Sequence, residues 1–385
     1  MTPALRPGLA AVLLAVALGG CTTSSQRAEA GLVSVSWRSI TLPAPSGSRI
    51  DLRALGSCGH AWFAAGATVD SAGNHPALWF SPDGSAFTAL KITPRSVYGP
   101  QNVLYSVACD GRRVAAVGAA VGGVHGNPRT STWQGPVGAG ATITEQPAAF
   151  ETYGGPDAVG VGEITAGPRG FVIVGGRVDA NHKVGAAVWQ STDGTGFRLI
   201  DNDPALESGP DGETEVHGAY GGPSGFTAVG GIAPAGSAGA ERNAAAWTSP
   251  DGRTWQRIAV PARPGDDILE RVVATPTGLL AAGADGSGFA AWTASADGTG
   301  WTRDAHFADH APVTSVPRII DLVSAPDRKV YAALSTGDDV QLWRGPGALW
   351  SQMRLPSGVT SIAGLAGDGT TTLLATPDGA IYATG

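Results

Sequence analysis

A short apolar phrase that recurs along the chain is the feature that most constrains its fold. The clearest copies are GFVIVGG (170–176), GFTAVGG (225–231) and GLLAAGA (278–284). The weaker copies are AWFAAGA (61–67), RVAAVGA (113–119), KVYAALS (329–335) and TTLLATP (371–377). Brief runs of β-compatible apolar residues, mostly closed by small residues, are typical of buried strands. The sequence therefore predicts seven repeated units, each containing one such strand.

Each copy is followed by a second predicted strand that centres on an aromatic residue. These aromatics are Trp79, Trp133, Trp189, Trp247, Trp292, Trp343 and Tyr382. Consecutive members lie 39 to 58 residues apart, and about 40–50 residues suit one four-stranded propeller blade. Another short strand precedes each copy, at 51–56, 103–108, 160–165, 215–220, 268–274, 318–324 and 359–364. A unit is thus an inner strand A, the phrase strand B, the aromatic strand C and an outer strand D.

The seventh unit ends at Gly385 without a strand D. Residues 33–42, VSVSWRSITL, carry the Trp-x-x-Ile pattern of the other D strands and can supply it. Such pairing would remove the exposed edges of an open sheet. We predict an all-β protein, a seven-bladed β-propeller closed by an N-terminal strand pairing with the last blade. Residues 31–385 form this single domain, and we expect a monomer.

Composition agrees with a turn-rich β protein and excludes several other classes. The chain has 57 Gly and 27 Pro without a collagen period, and 43% apolar residues argue against disorder. Only 15% of residues are charged, which disfavours long solvated helices. The formal net charge of −7 disfavours nucleic-acid binding. No dinucleotide or phosphate-loop fingerprint occurs, so we expect no cofactor.

The N-terminus carries an export signal. Residues 1–20 contain one charged side chain, Arg6, and a short apolar core at 9–18, which is too short to span a bilayer. The sequence Leu18-Gly19-Gly20-Cys21 resembles the lipobox of bacterial lipoproteins. The resemblance implies cleavage before Cys21, a diacylglycerol on its thiol and acylation of the new amine, with palmitate as the expected acid. We therefore expect residues 21–30 to tether the protein to the extracytoplasmic side of the cell membrane. The alternative is an ordinary signal peptide with an incidental cysteine.

Four turns between strands C and D share a motif. They are Ser81-Pro82-Asp83-Gly84, Ser191-Thr192-Asp193-Gly194, Ser249-Pro250-Asp251-Gly252 and Ser295-Ala296-Asp297-Gly298, each followed three residues on by Phe or Trp. The motif resembles the Asp-box, or BNR repeat, of the sialidase superfamily and its non-enzymatic relatives. The residue that usually separates Asp from Gly is missing here, and blades two and six lack the Asp. The resemblance implies a propeller, and it implies that these aspartates stabilise turns away from the active face.

One aligned column of the A strands is polar in five of six blades. It reads Arg53, Tyr105, Gly162, His217, Glu270 and Asp321, and the next position adds Glu163 and Arg271. Polar side chains that converge at a channel mouth are the default hypothesis for a ligand site. The alternative is a hydrated channel in which pairs such as Arg53–Asp321 or Glu270–Arg271 hold blades together.

Other titratable residues give weaker signals. His75, His125 and His182 fall in the B–C loops of the first three blades, where solvated loop side chains are the expected reading, and we predict no metal site. Cys58 and Cys109 lie near the ends of neighbouring A strands. Export permits a disulfide between them, but its formation depends on a Cα separation that the sequence leaves open.

These observations favour a binding protein over an enzyme, because no strong catalytic motif is present. We expect a membrane-anchored scaffold for an unidentified protein or cell-envelope glycan. The alternative is a glycoside hydrolase at the channel mouth. Sialidase chemistry itself would need an arginine triad, a Tyr–Glu pair and an Asp acid, and the order of Arg53, Arg271 and Arg318 does not match that family. A different hydrolase could use Glu163 and Glu270.

Overall fold

The computed structural model describes residues 31–122, 126–237, 241–261, 265–309, 316–337, 339–345 and 350–384. The predicted export signal, Cys21, the predicted tether, His125 and His310 lie outside these ranges. The described helices are one short α-helix, α1 (Phe150–Tyr153), and 3₁₀ turns at Gly99–Gln101 and Pro326–Arg328. None of the helices in these ranges has the length and apolar character that a bilayer crossing requires.

The strands of the described ranges form seven sheets, one for each predicted unit. Blade one contains β2 (Arg49–Cys58), β3 (Ala61–Asp70), β4 (Gly73–Ser81) and β5 (Thr88–Ala89). Blade two contains β6 (Lys91–Thr93), β7 (Val103–Cys109), β8 (Arg113–Gly122), β9 (Asn127–Pro136) and β10 (Thr142–Gln146). Blade three contains β11 (Ala158–Gly167), β12 (Gly170–Val178), β13 (Val184–Ser191) and β14 (Arg198–Ile200). Blade four contains β15 (Gly212–Gly222), β16 (Gly225–Pro234), β17 (Asn243–Ser249) and β18 (Gln256–Ile258).

The remaining three blades follow the same antiparallel order. Blade five contains β19 (Arg271–Thr275), β20 (Gly278–Ala284), β21 (Gly288–Ala294) and β22 (Thr302–Asp309). Blade six contains β23 (Arg318–Ala325), β24 (Lys329–Ser335), β25 (Val340–Gly345) and β26 (Ser351–Met353). Blade seven contains β27 (Gly364–Gly367), β28 (Thr372–Ala375), β29 (Ala380–Thr384) and β1 (Trp37–Thr41). The D–A and B–C loops lie on one side of the ring, the loop face, and the A–B and C–D turns lie on the other, the turn face.

The predicted closure is confirmed. Strand β1 pairs antiparallel with β29, from Trp37 opposite Thr384 to Thr41 opposite Ala380. Ile40 and Leu42 are buried in the apolar cluster between blades seven and one. The first described strand therefore completes the last blade.

Blade one departs from the regular arrangement of the D strands. Its outer strand is only β5, and β6 instead pairs in parallel with β10 of blade two. The chain thus crosses from one blade to the next before the D–A loop begins. The crossing gives blade two a fifth strand and ties these two blades together along their outer edge.

Seven apolar clusters occupy the spaces between neighbouring blades. The strand-C tryptophans are among the largest side chains in these spaces, and those of blades one to five are buried almost completely. In blades one to four the indole N–H also donates to the D–A loop that opens the same blade. The acceptors are the Pro43 carbonyl at 2.8 Å, the Asn102 side chain at 3.3 Å, the Thr152 carbonyl at 2.5 Å and the Ala205 carbonyl at 2.7 Å.

The Ser-x-Asp-Gly turns lie on the turn face and use their polar side chains locally. In the first, the Ser81 hydroxyl accepts the Gly84 N–H at 2.9 Å, and Asp83 accepts the Ser85 N–H at 2.8 Å. Gly84 has a φ of +73°, which favours glycine. These bonds engage the aspartates within their own turns, on the side of the ring away from the D–A loops.

The closure predicts a position-specific cost at β1. Ile40→Ala should lower the free energy of unfolding by about 2–5 kcal/mol, because it leaves a cavity between blades seven and one. Ser39→Ala, at an exposed neighbouring position, should change it by no more than about 0.5 kcal/mol. Urea unfolding followed by tryptophan fluorescence measures both, and equal effects of the two substitutions would contradict the packing of β1.

Candidate functional site

A β-bulge near the start of the A strands directs the polar column toward the channel. The pairing of A with B is interrupted in β2, β7, β11, β15 and β23. The residues at the interruptions are Arg53, Tyr105, Gly162 with Glu163, His217, and Ile320. A bulge turns a side chain away from its regular alternation. In blade six the bulged residue is Ile320, so Asp321 stands one position beyond the predicted column.

The glycine near the end of the repeated phrase lies on strand B opposite this bulge. A Cβ atom on Gly66 would collide with the Asp51 carbonyl, and one on Gly230 would collide with the Glu215 carbonyl. Gly175 and Gly283 are placed against strand-A or loop carbonyls in the same way. The phrase therefore carries glycine because the two backbones approach too closely for a side chain.

The channel opens on the loop face into a cavity of about 680 Å³. All seven predicted ligand-binding residues line it: Arg53, Tyr105, Glu163, His217, Glu270, Arg271 and Asp321. Two further arginines, Arg242 and Arg318, also line it. The column thus meets in one space, although it is drawn from six different blades.

Glu163 and Arg271 form the central ion pair, with Nε and Oε1 2.9 Å apart. The pair joins blade three to blade five across blade four. Burial raises the pKa of the Glu163 carboxyl to about 7; the charge of Arg271 partly offsets this effect and that of Asp321 adds to it. Arg271 also donates to the main-chain carbonyl of Glu270 at 2.8 Å. A carboxyl in this state can gain or lose a proton near neutral pH.

Glu270 and Asp321 are engaged by backbone amides of neighbouring blades. The Glu270 carboxylate accepts the Ile319 N–H of blade six. Asp321 accepts the Leu365 N–H of blade seven and the Leu322 N–H, both at 2.8 Å. Burial raises the pKa of both carboxyls, and these amide donors act against the rise. Both residues therefore join neighbouring blades while they line the cavity.

The pairs given as examples for the hydrated-channel alternative, Arg53–Asp321 and Glu270–Arg271, are not the ion pairs seen within the described ranges. Arg53 instead reaches Asp51 at 2.7 Å on its own strand, and Arg271 pairs with Glu163 as described. The bulge accounts for the difference, because it turns Arg53 toward the mouth, whereas Asp321 turns toward the adjacent backbone.

The rim beside blade four carries a second charged group. His217 lies 3.2 Å from Glu215, which also lies 3.5 Å from Arg242. Arg242 pairs in addition with Asp266 at 2.7 Å. Burial acts to raise the pKa of Glu215, but His217 and Arg242 outweigh it and hold that pKa below its usual value.

Arg242 and Arg318 are the lining cations absent from the aligned column. Arg242 comes from a B–C loop of irregular length, so no repeat position identifies it. Arg318 opens β23 and is exposed, and within the described ranges it has no ion pair. Its guanidinium is therefore an exposed positive charge at the cavity.

Tyr105 does not form the Tyr–Glu pair that sialidase chemistry needs. Its hydroxyl donates to the Val161 carbonyl at 2.9 Å, and burial raises its pKa above the ordinary value. Among the described residues its hydroxyl donates to a carbonyl and not to a base that could activate it as a nucleophile.

The other candidate groups lie away from this cavity. His75 contacts Asp70 at 3.1 Å, and His306 lies 2.7 Å from both Asp285 and Asp309. Across the part of the chain that the structure describes, no three His, Cys, Asp or Glu side chains are grouped to hold a metal ion.

Cys58 and Cys109 are joined by a disulfide, with Cα atoms 5.7 Å apart. The bond connects the ends of β2 and β7 toward the turn face. It therefore fastens blade one to blade two at the opposite end of the channel from the charged cavity.

No protein-family model and no curated protein matches this chain. The chain is similar to several solved propeller structures. A structure titled YCF48 bound to D1 peptide has a TM-score of 0.53 and 15% identity, over 92% of this chain and 97% of that chain. YCF48 from Cyanidioschyzon merolae has a TM-score of 0.50 and 13% identity, over 90% and 98%. Inactive virginiamycin B lyase from Staphylococcus aureus with quinupristin has a TM-score of 0.53 and 11% identity, over 90% and 98%. At these identities the likeness shows the seven-bladed propeller fold.

The raised pKa of Glu163 predicts a pH dependence of stability. The folded protein holds a proton on Glu163 up to about pH 7, whereas an unfolded glutamate loses it near pH 4.3. This contribution is complete below about pH 4 and is lost as pH rises toward 8, which lowers the free energy of unfolding by about 1–3 kcal/mol. In Glu163→Gln that part of the decline should disappear.

Urea unfolding at a series of pH values between 5 and 8 measures the slope. The pKa of His306 is also raised, by Asp285 and Asp309 against its burial, and this contribution has the same sign. His306→Gln is therefore the matched control, and its effect should add to that of Glu163→Gln. A wild-type slope in Glu163→Gln would contradict the assignment.

Proposed function

We propose that the protein is a lipid-anchored, extracytoplasmic propeller that binds a segment of a partner protein at its channel mouth. The carrying observation is the 680 Å³ cavity, whose polar lining converges from six blades and leaves Arg318 unpaired among the described residues. A similar propeller, YCF48, is described as bound to a peptide, which supports a protein segment over a small ligand.

The charge arrangement favours binding over turnover. Glu270 and Asp321 are held by backbone amides, and Tyr105 donates to a backbone carbonyl. These bonds fix the lining in place before a ligand arrives. A preformed site loses less conformational freedom when it binds.

The hydrolase alternative has one observation in its favour. Glu163 has a pKa near 7, which suits a general acid or base at neutral pH. If the protein were an enzyme of this kind, Glu163→Gln would abolish turnover of a glycan while ligand binding persisted. An envelope glycan bound without turnover is the remaining ligand class.

The proposed membrane location rests on the sequence around Cys21. Two acyl chains suffice for stable anchoring, because each buried CH₂ contributes about 0.8 kcal/mol. The disulfide between Cys58 and Cys109 supports export, since such bonds persist in oxidising compartments.

Cys21→Ser should move the protein from the membrane fraction to the soluble fraction of its host, because the acylated thiol is lost. Detergent phase separation of cell extracts measures this distribution. Cys58→Ser is the matched control: it removes the disulfide, lowers stability and leaves the membrane distribution unchanged. Persistence of the Cys21→Ser protein in the detergent phase would overturn the lipoprotein assignment.

Arg318→Glu should abolish capture of the partner, because it reverses the unpaired charge at the cavity mouth. Mild crosslinking followed by co-purification measures the capture. Arg112→Glu, at an exposed position on the turn face, should capture the partner as the wild type does. The melting temperatures of both variants should match that of the wild type. Equal capture by Arg318→Glu and wild type would contradict the proposed site, and the absence of a protein in every sample would favour a glycan.

A further inference from the structure

The exposed large apolar side chains of the described ranges all lie on the loop face. They are Val97, Val121, Phe150, Val159, Val184 and Val316. Val316 lines the cavity mouth, and Val184 opens β13. The other four belong to the end of blade one, to blade two and to the start of blade three. Their concentration on one face distinguishes them from the scattered single apolar residues of an ordinary surface.

These four residues, with Tyr98 and Arg129, form what we call the rim patch. Val97 is 85% exposed, Val121 78%, Phe150 51% and Val159 54%. Val97 lies in the D–A loop that leads into blade two, and Val121 near the end of β8. Phe150 opens α1, and Val159 lies in β11. The patch therefore lies on the same face of the ring as the charged cavity, and none of its residues lines that cavity.

Arg129 is held between two aromatic rings at the centre of the rim patch. Its guanidinium lies 4.6 Å from the centre of the Phe150 ring and 5.8 Å from that of Tyr98. Within the described ranges no carboxylate pairs with it. Arginine and aromatic side chains of this kind dominate the binding energy of protein interfaces.

Hydrogen bonds to a buried carboxylate and from an indole hold the loops that carry the rim patch. Glu145 is buried and accepts the N–H groups of Arg95 and Ser96 at 2.6 and 2.8 Å. The carbonyl of Thr152, in α1, accepts the indole N–H of Trp189. These hydrogen bonds therefore hold in place the backbone that carries the exposed apolar side chains.

The free charge at the rim patch is positive, although the whole chain carries −7. Arg129 and the exposed Arg95 have no ion pair among the described residues. Of the carboxylates on these segments, Asp157 pairs with Arg177 at 3.5 Å. Glu151 is exposed in α1 and has no ion pair within the described ranges, so one free negative charge stands against the two free arginines. A segment that complements this surface combines apolar side chains with carboxylates.

We propose that the rim patch is a docking surface for an acidic, apolar segment of a partner protein. The inference rests on the proposed function, because the same partner would bind the cavity on this face of the ring. Phe150 and Val121 supply the apolar contact, and Arg129 supplies the charge that selects an acidic segment.

A phage-displayed library of random linear peptides, panned on the immobilised protein, tests this surface. We expect enriched peptides that combine Asp or Glu with apolar or aromatic residues. Their affinity should fall about tenfold or more in Phe150→Ser and in Arg129→Glu. Val97→Ser is a second test of the apolar contact, at a side chain too exposed for the substitution to affect folding. Arg112→Glu on the turn face is the matched control.

Each other outcome overturns the inference in a distinct way. Peptides that bind the rim-patch variants as tightly as the wild type, but not Arg318→Glu, would leave the proposed function standing and remove the docking surface. A panning that enriches no peptide would count against both. A concentration-dependent dimer that Phe150→Ser abolishes would identify a second copy of the chain as the occupant instead.

Discussion

The strand-C tryptophan is the interaction on which both the ring and its loop face depend. Each indole fills the space between two blades, where apolar burial supplies the main favourable free energy. In blades one to four its N–H also reaches the loop that opens the same blade. The same tryptophan side chain therefore packs two blades together and positions the D–A loop next to it. In blade five the buried Trp292 N–H has no partner among the described residues. This indole instead lies under the Arg303 guanidinium, which is 5.5 Å from the centre of its ring.

The lining of the cavity combines two uses of charge. Glu270 and Asp321 are partnered by amides of the next blade, and Glu163 joins blades three and five through Arg271. These groups replace the apolar packing that is absent at the wide mouth of the channel. Arg318 is different, because it has no such partner within the described ranges. Several of the inner charges therefore join blades to one another, whereas Arg318 lines the same cavity without doing so.

The repeat predicted the blades, the closing strand and the polar column because each of these recurs at a fixed position. The partners within the site could not be predicted in this way. Glu163 and Arg271 occupy the same repeat position two blades apart, and a repeat position does not say which of its side chains will pair. Arg242 comes from an irregular loop, and the transfer of β6 to blade two breaks the repeat itself. The bulge explains why Arg53 reaches Asp51 rather than Asp321, and a single sequence carries no direct sign of a bulge apart from the glycine that opposes it.

The pairing of β1 with β29 has a consequence for the order in which the protein folds. The two strands stand at opposite ends of the described chain, so the contact that closes the ring has nearly the largest sequence separation available. Closing such a long loop costs entropy before any contact compensates for it, and folding dominated by distant contacts is slow. Blades one to six can form from consecutive segments as the chain emerges, but blade seven must wait for the final residues. Until then, β1 and the open sides of blades one and six are exposed, and it is in this interval that the chain is most open to misassembly.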